Sequence, residues 1–434
     1  MDPVIAGILG IILLILVLFF VGMPVGFAMA VVGFCGFSYV VSFQAAANMI
    51  ATDIWSTFSG YGLTVVPLFI FMGYLAFNAG IAERLYDAAY KWFGHWRGGL
   101  AIATIGADEL FAAICGSNTA TAATMGAVAL PQMKKYGYDD RLSSGTVVTG
   151  GTLGTVMPPS VVLIIIGLQT EQSIVKLFLA GILPAMVLGL LFVVTIIGLC
   201  RIFPTYGPAG PRATMAEKLK SLLGVIEAVT IFLLVIGGLY IGVFTPTEAG
   251  AAGVFFTLVV SMATGKLNWQ GLMNSVRETL KISCMVYMLI TGAIIFGRFL
   301  AVTRLPYMVA DFAASLPVSP YVILAIVLFI YLLGGCFMDS LGFLVLTIPI
   351  FYPLGTALGF NPIWYAIILT MVTTMGAITP PVGVNIYVVK ALAPDIHLGT
   401  IFKSVSFFLL ACILSIIILI IFPELALIIP NAMY

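Results

Sequence analysis

The sequence predicts an all-α polytopic membrane protein, built as an inverted-topology repeat with two re-entrant hairpins and two broken helices. Three observations predict it. The chain of 434 residues is 62% hydrophobic and only 8% charged, a balance that no soluble surface tolerates. Apolar runs long enough to cross a bilayer recur along its whole length, without the alternation of a transmembrane barrel. One stretch also occurs twice at a fixed offset of 222 positions: Ser117 maps to Asp339, Pro131 to Pro353, Gly137 to Gly359, Gly154 to Gly376, and Pro158-Pro159 to Pro380-Pro381. The same shift takes Pro24 to Pro246.

In chain order, spans are predicted at about 4–22 and 24–43, separated by Gly22-Met23-Pro24. The Met-Asp-Pro start lacks a basic region and a small-residue cleavage site, so the first run reads as a retained span. Residues 46–61 read as an interfacial segment anchored by Trp55, and a span follows at 62–80. Residues 82–98 alternate charged with large apolar side chains and read as an amphipathic helix outside the hydrocarbon. Residues 99–131 are apolar yet hold Asp108, Glu109, Ser117, Asn118 and several threonines. A lipid-facing span does not carry such groups, whereas a hairpin buried in protein does. The next span, 142–168, is interrupted at Gly154 and Pro158-Pro159.

A span at 174–200 leads to the most basic loop, 201–221, which holds Arg201, Arg212, Lys218 and Lys220 and is placed in the cytoplasm. Spans at 222–243 and 247–263 follow, then a short surface segment with Arg277 and Lys281 and a span at 282–301. Residues 320–354 form a second hairpin-like region, 362–391 a span broken at Gly376 and Pro380-Pro381, and 404–422 a last span. Counting outward from the basic loop puts Lys134, Lys135 and Arg141 inside, and both termini outside. The repeat partners at 355–362, which lack Lys and Arg, also fall outside. The copies therefore point in opposite directions: residues 1–200 form the first inverted repeat and residues 222–425 the second.

Gly and Pro-Pro in mid-membrane free backbone carbonyls, and in transporters such carbonyls and the adjoining half-helix ends form ion and substrate sites. Sodium suits several neutral oxygens. The first copy offers Ser117, Asn118 and Thr119 opposite Gly154, Thr155 and Met157; the second offers Asp339 and Ser340 opposite Gly376 and Thr379. A small substrate is expected between the turns and the breaks, near Ser117, Asn118, Thr119, Pro158, Asp339, Ser340 and Pro380. Proline kinks that merely let helices pack are the plain alternative.

These residues carry a resemblance. Gly116-Ser117-Asn118-Thr119-Ala120-Thr121, Pro131-Gln132-Met133, Met157-Pro158-Pro159-Ser160, Phe337-Met338-Asp339 and Ile378-Thr379-Pro380-Pro381-Val382-Gly383-Val384-Asn385 resemble the large membrane subunit of tripartite ATP-independent periplasmic (TRAP) transporters. The likeness covers nearly the whole chain. The Ser-Asn-Thr triplet alone is also similar to divalent-anion sodium symporters. The TRAP resemblance implies an elevator-type transporter of the bacterial inner membrane, in which the hairpins and broken spans move against a scaffold. It implies a small four-helix membrane subunit and a soluble periplasmic substrate-binding protein as partners, sodium as the coupling ion, no ATP, and a small organic anion as substrate. Asp108-Glu109 departs from it, because small or apolar residues are expected there; the pair either faces the site, to bind a cation or tune selectivity, or is solvated in a hairpin cavity or at the aqueous boundary.

Other charges have two readings each. Asp339 suits a cation site or a helix cap. Arg298, near the outer end of its span, suits an anionic substrate group or snorkelling to the interface. Glu227 and Glu248 fall in scaffold helices and face water or the small subunit. Lys390 follows the second broken span and can attract anions. The six cysteines are scattered in or beside apolar segments and read as small buried residues. A net charge of +1, with no basic cluster or acidic tail, gives no sign of nucleic acid as a partner. The two histidines sit in surface-like segments, and HExxH, GxSxG and Walker sequences are absent, so no enzyme is predicted. The runner-up functions are a stand-alone divalent-anion sodium symporter and, from another class, an ion channel.

Overall fold

The computed structural model describes residues 2–433; its regular structure is helical, without a strand among those residues. Among the described residues, ten helical runs are long and apolar enough to cross a membrane. The first repeat begins with α1 (Pro3–Leu16), capped by Asp2, and α2 (Val25–Val40), which turn about at Gly22-Met23-Pro24. α3 (Phe43–Ser59) stops at Gly60, and α4 (Val65–Asn78) follows. α5 (Ile81–Phe93) is amphipathic and buries Leu85 and Tyr86. α6 (Gly99–Cys115) and α7 (Asn118–Lys135) form the first hairpin. Gly116 makes its turn with a φ of 65°, and a Cβ there would also run into the Pro159 carbonyl, so glycine is required twice over. α8 (Asp140–Gly150), α9 (Leu153–Val156) and α10 (Val161–Thr170) make the first broken span, and α11 (Ile174–Ile202) returns.

The second repeat runs through α12 (Met215–Phe232), a π-helical turn into α13 (Gly238–Ile241), α14 (Pro246–Ala263), α15 (Trp269–Thr303) and α16 (Leu305–Ser315). α17 (Pro320–Phe337) and α18 (Ser340–Ala357) form the second hairpin; α19 (Pro362–Gly376) and α20 (Val384–Leu392) form the second broken span. α21 (Leu398–Ile421) and α22 (Glu424–Asn431) close the chain. A shift of 222 carries α7 onto α18 at both ends, Asn118 to Ser340 and Lys135 to Ala357.

α2 packs on α15, and α4 on both α14 and α15, forming one layer whose outer faces stay apolar and exposed at Phe27, Val31 and Phe255. The broken spans lie at the centre: every residue from Leu142 to Gly167 and from Ile363 to Ile378 is buried. A helix that is apolar all round belongs in such an interior.

Several elements differ from the sequence expectation. Residues 269–303 form one helix of 35 residues instead of a surface segment followed by a span. No proline interrupts it, and Ser275, Thr279 and Ser283 are buried along one face while Arg277 points elsewhere. Its counterpart in the first repeat is cut at Gly60 into α3 and α4. The basic loop is shorter than 201–221, because Thr214 and Glu217 form a capping box that starts α12, taking Lys218 and Lys220 into the helix. Glu227 is half-buried and pairs with Arg84 of α5. Glu248 closes a second capping box with Thr245, and Lys390 donates to the carbonyls of Pro394 and Ile396.

Candidate ion and substrate site

The site is a closed ring of four chain segments. Each hairpin tip begins its second arm with a polar cap. Ser117 caps α7, its hydroxyl accepting from the Ala120 N–H at 3.5 Å, and Asp339 caps α18, its carboxylate accepting from the Leu341 N–H at 3.2 Å. Such residues leave the first amides of a helix satisfied and their positive end at the tip. The two tips meet: Asn118 Nδ2 donates to Ser340 Oγ at 3.3 Å.

Each tip also holds the break of its own repeat. The Val161 N–H donates to the Gly116 carbonyl at 3.4 Å, and in the second repeat the N–H of Gly383, the counterpart of Val161, donates to the Cys336 carbonyl at 3.0 Å. Gly154 lies flat on the first tip, where a Cβ would stand 2.5 Å from the Ser117 carbonyl and 2.6 Å from Thr121 Oγ1. Gly376 lies against Gly335 of α17, with a Cβ position 2.6 Å from its Cα. Asn385 closes the ring, its Nδ2 donating to the Val148 carbonyl of α8 at 3.4 Å.

Two oxygens in the ring are buried without a hydrogen-bond partner: Thr155 Oγ1 in the first break and Asn385 Oδ1 just past the second. A buried unpaired oxygen is costly unless a ligand or water meets it. The ring is uneven. Pro158 and Pro159 are buried, whereas Pro380 and Pro381 are exposed and Asp339 half-buried, so it opens on the second-repeat side. Both Pro-Pro bonds are cis.

A family model described as the DctM component of tripartite ATP-independent periplasmic transporters matches residues 12–425. The chain belongs to that family. Among relatives, this DctM-family permease is 34% identical over 387 residues to a C4-dicarboxylate TRAP transporter large permease from Pseudomonas aeruginosa, covering 89% of this chain and 90% of that one. It is 30% identical over 417 residues to a sialic acid TRAP transporter large permease from Vibrio cholerae, covering 95% and 96%. An isethionate TRAP transporter permease from Oleidesulfovibrio alaskensis is 29% identical over 382 residues, 86% of this chain and 58% of that one. The fold also matches the solved YdaH transporter of Alcanivorax borkumensis, with a TM-score of 0.63 and 15% identity over 89% of this chain and 88% of that one. These relatives are permease subunits of transporters, not enzymes, and the protein is a multi-pass membrane permease.

Within this DctM-family permease the structure brings Ser117, Asn118, Thr119, Asp339 and Ser340 together at the tips, with Gly154 and Thr155 beside the first. Met157 and Pro158 are buried behind that break. Gly376 and Thr379 belong to the second break, where Thr379 Oγ1 donates to the Met375 carbonyl at 2.7 Å. Arg298 is not brought to the ring. Its Nε donates to both carboxylate oxygens of Asp53, at 3.0 and 2.7 Å, because α3 packs on α15 and the Asp53 carboxylate is buried there. Asn385 is missing from the predicted site residues. Its signal is an amide four residues after Pro-Pro in an apolar run. A cavity of about 510 Å³ lies off the ring, between α3 and α15 on one side and α10 and α18 on the other, lined by Thr57, Gln169, Gly297, Pro349 and Tyr352.

Proposed function

We propose that the protein is the large permease subunit of a TRAP system of the bacterial inner membrane, taking up a small organic anion by sodium-driven, elevator-type movement. The observation that carries this reading is the ring itself: two oppositely derived hairpin tips joined by Asn118 and Ser340, each tied to its own broken helix. Neutral oxygens of Ser117, Asn118, Gly154 and Thr155, with Met157 behind them, form one sodium site. Asp339, Gly376 and Thr379 form a second, of different chemistry. The positive ends of α7 and α18 face the same space and favour an anionic substrate between them, in reach of Thr119, Ser340, Pro158 and Pro380. The names of the relatives point to carboxylates and a sulfonate, and this chain takes a substrate of that class.

In this reading α6–α10 and α17–α20 move as a body against the layer of α2, α4, α14 and α15, and the cavity between α15 and α18 lies on the seam. A small four-helix membrane subunit extends the scaffold, and a periplasmic binding protein delivers the substrate. The test is uptake into proteoliposomes holding both membrane subunits, with labelled C4-dicarboxylate, sialic acid and isethionate offered in turn. Uptake of one that needs both an inward sodium gradient and its binding protein supports the reading. Uptake driven equally well without sodium, or without any binding protein, overturns it.

A further inference from the structure

The first hairpin carries two consecutive acids, Asp108 and Glu109, in the middle of α6, outside the ring. Asp108 is 0% exposed, and neither of its carboxyl oxygens has a hydrogen-bond partner. Glu109 Oε1 is also buried without one. Each acid rests on a glycine of a neighbouring helix. Asp108 Oδ2 occupies the space that a Cβ at Gly150 of α8 would need, and Glu109 Oε2 that of a Cβ at Gly189 of α11. The second repeat differs at all four equivalent positions, with Ile330, Tyr331, Val372 and Ala411. Acid and glycine thus occur as matched pairs in one repeat only, and the room for the carboxyls is built in.

No cation answers them among the described residues. Of the helices packed on α6, α5 has Arg84 bound to Glu227 of α12 and Lys91 bound to its own Asp87. Lys134 of α7 is bound to Asp395 and Lys135 lies over the Tyr136 ring; Arg141 of α8 is bound to Tyr206; on α12 Lys218 lies over the Trp92 ring and Lys220 is exposed. Lys176 and Arg201 stand at opposite ends of α11, far from its midpoint at Gly189. α4 carries no charged residue, and α9 no titratable group. Glu109, its chain neighbour, is a second acid and points to α11 instead. A bare carboxylate here is an uncompensated buried charge, which proteins avoid. A metal cation needs several oxygens around it, whereas a proton needs one lone pair.

We infer that Asp108 is a proton-binding site, and that its proton is exchanged against a cation at the first hairpin tip. The coupling runs through α8 and the break. Gly150 lies on Asp108, the next residue, Gly151, on the Asn118 carbonyl, and Gly154, one turn further, on the Ser117 carbonyl. A sodium ion at that tip supplies the positive charge that an ionised Asp108 lacks. The exchange is balanced: the Asp108 O–H bond breaks, its electrons stay on the carboxylate, and one proton leaves as one sodium ion enters. This inference rests on the sodium reading above.

The test uses the full permease in lipid nanodiscs, in weak buffer with a pH indicator, titrated with sodium chloride or choline chloride while bound ²²Na⁺ is measured in parallel. The wild type is expected to release a proton in step with sodium binding and none with choline. Asp108→Asn is expected to bind ²²Na⁺ yet release nothing. Sodium binding without proton release in the wild type, or full release in Asp108→Asn, overturns the proton site and leaves the sodium reading intact. Absence of ²²Na⁺ binding overturns both. Infrared spectra of the wild type add a check that needs no variant: a buried carboxylic acid C=O band that sodium removes is expected, and its absence contradicts the inference.

Discussion

Asn118 and Ser340 are equivalent residues of the two repeats, and they are hydrogen-bonded to each other at 3.3 Å. This bond therefore joins the two hairpins tip to tip. It follows that the tips are mechanically joined. Asn118→Ala and Ser340→Ala should each weaken sodium binding, and the double variant should lose less than the sum. The expected coupling is about 0.5–1.5 kcal/mol, the usual net value of one hydrogen bond. ²²Na⁺ binding to the four proteins measures it.

Asp339 has two separable duties, capping α18 and placing a carboxylate at the open side of the ring. Asparagine keeps the cap and removes the charge. Asp339→Asn should unfold at the wild-type temperature while transport falls. Asp339→Ala should in addition lose about 1 kcal/mol of stability. Equal transport by Asp339→Asn and the wild type removes the charge from the mechanism.

The Arg298–Asp53 pair ties α15 to α3, away from the ring. Arg298→Ala leaves the buried Asp53 carboxylate without its partner, and since the arginine side chain is 56% exposed, a loss of roughly 1–3 kcal/mol is expected, less than for a fully buried pair. Replacing both residues by alanine should restore part of it. Substrate preference should not change, and uptake competition assays on Arg298→Ala check that.

Gly106 and Gly154 make a matched control. A Cβ at Gly106 meets open space, whereas one at Gly154 meets the Ser117 carbonyl. Gly106→Ala should be neutral or stabilise α6 by about 0.5–1 kcal/mol. Gly154→Ala should push the tip off the break and lower sodium affinity at least about tenfold, or 1.4 kcal/mol.

Much of this architecture is written in local chemistry. Ser117 and Asp339 are caps ahead of apolar runs, and Gly154, Gly376 and the Pro-Pro pairs are breaks within them, so hairpins and broken spans are legible residue by residue. Thr214 and Glu217 stand at the capping-box spacing that starts α12, but a reading by charge runs the loop on to 221. Charge misleads where it is the only guide: Arg277 and Lys281 suggest a surface segment, but nothing around them stops a helix, and α15 runs through. Pairings between distant helices are not legible. Asp53 and Arg298, or Arg84 and Glu227, meet only because α3 packs on α15 and α5 on α12. For the same reason the matching of Asp108 with Gly150 appears only in three dimensions, although the acids themselves stand out in the sequence.

The central claim is that sodium binds where the first hairpin tip meets the first break. The direct measurement is equilibrium ²²Na⁺ binding to the purified permease, comparing the wild type with Gly106→Ala and with Ser117→Ala combined with Asn118→Ala. Saturable binding that Gly106→Ala preserves and the tip variant weakens roughly tenfold or more is the predicted result. A tip variant that binds sodium as the wild type does would contradict the account.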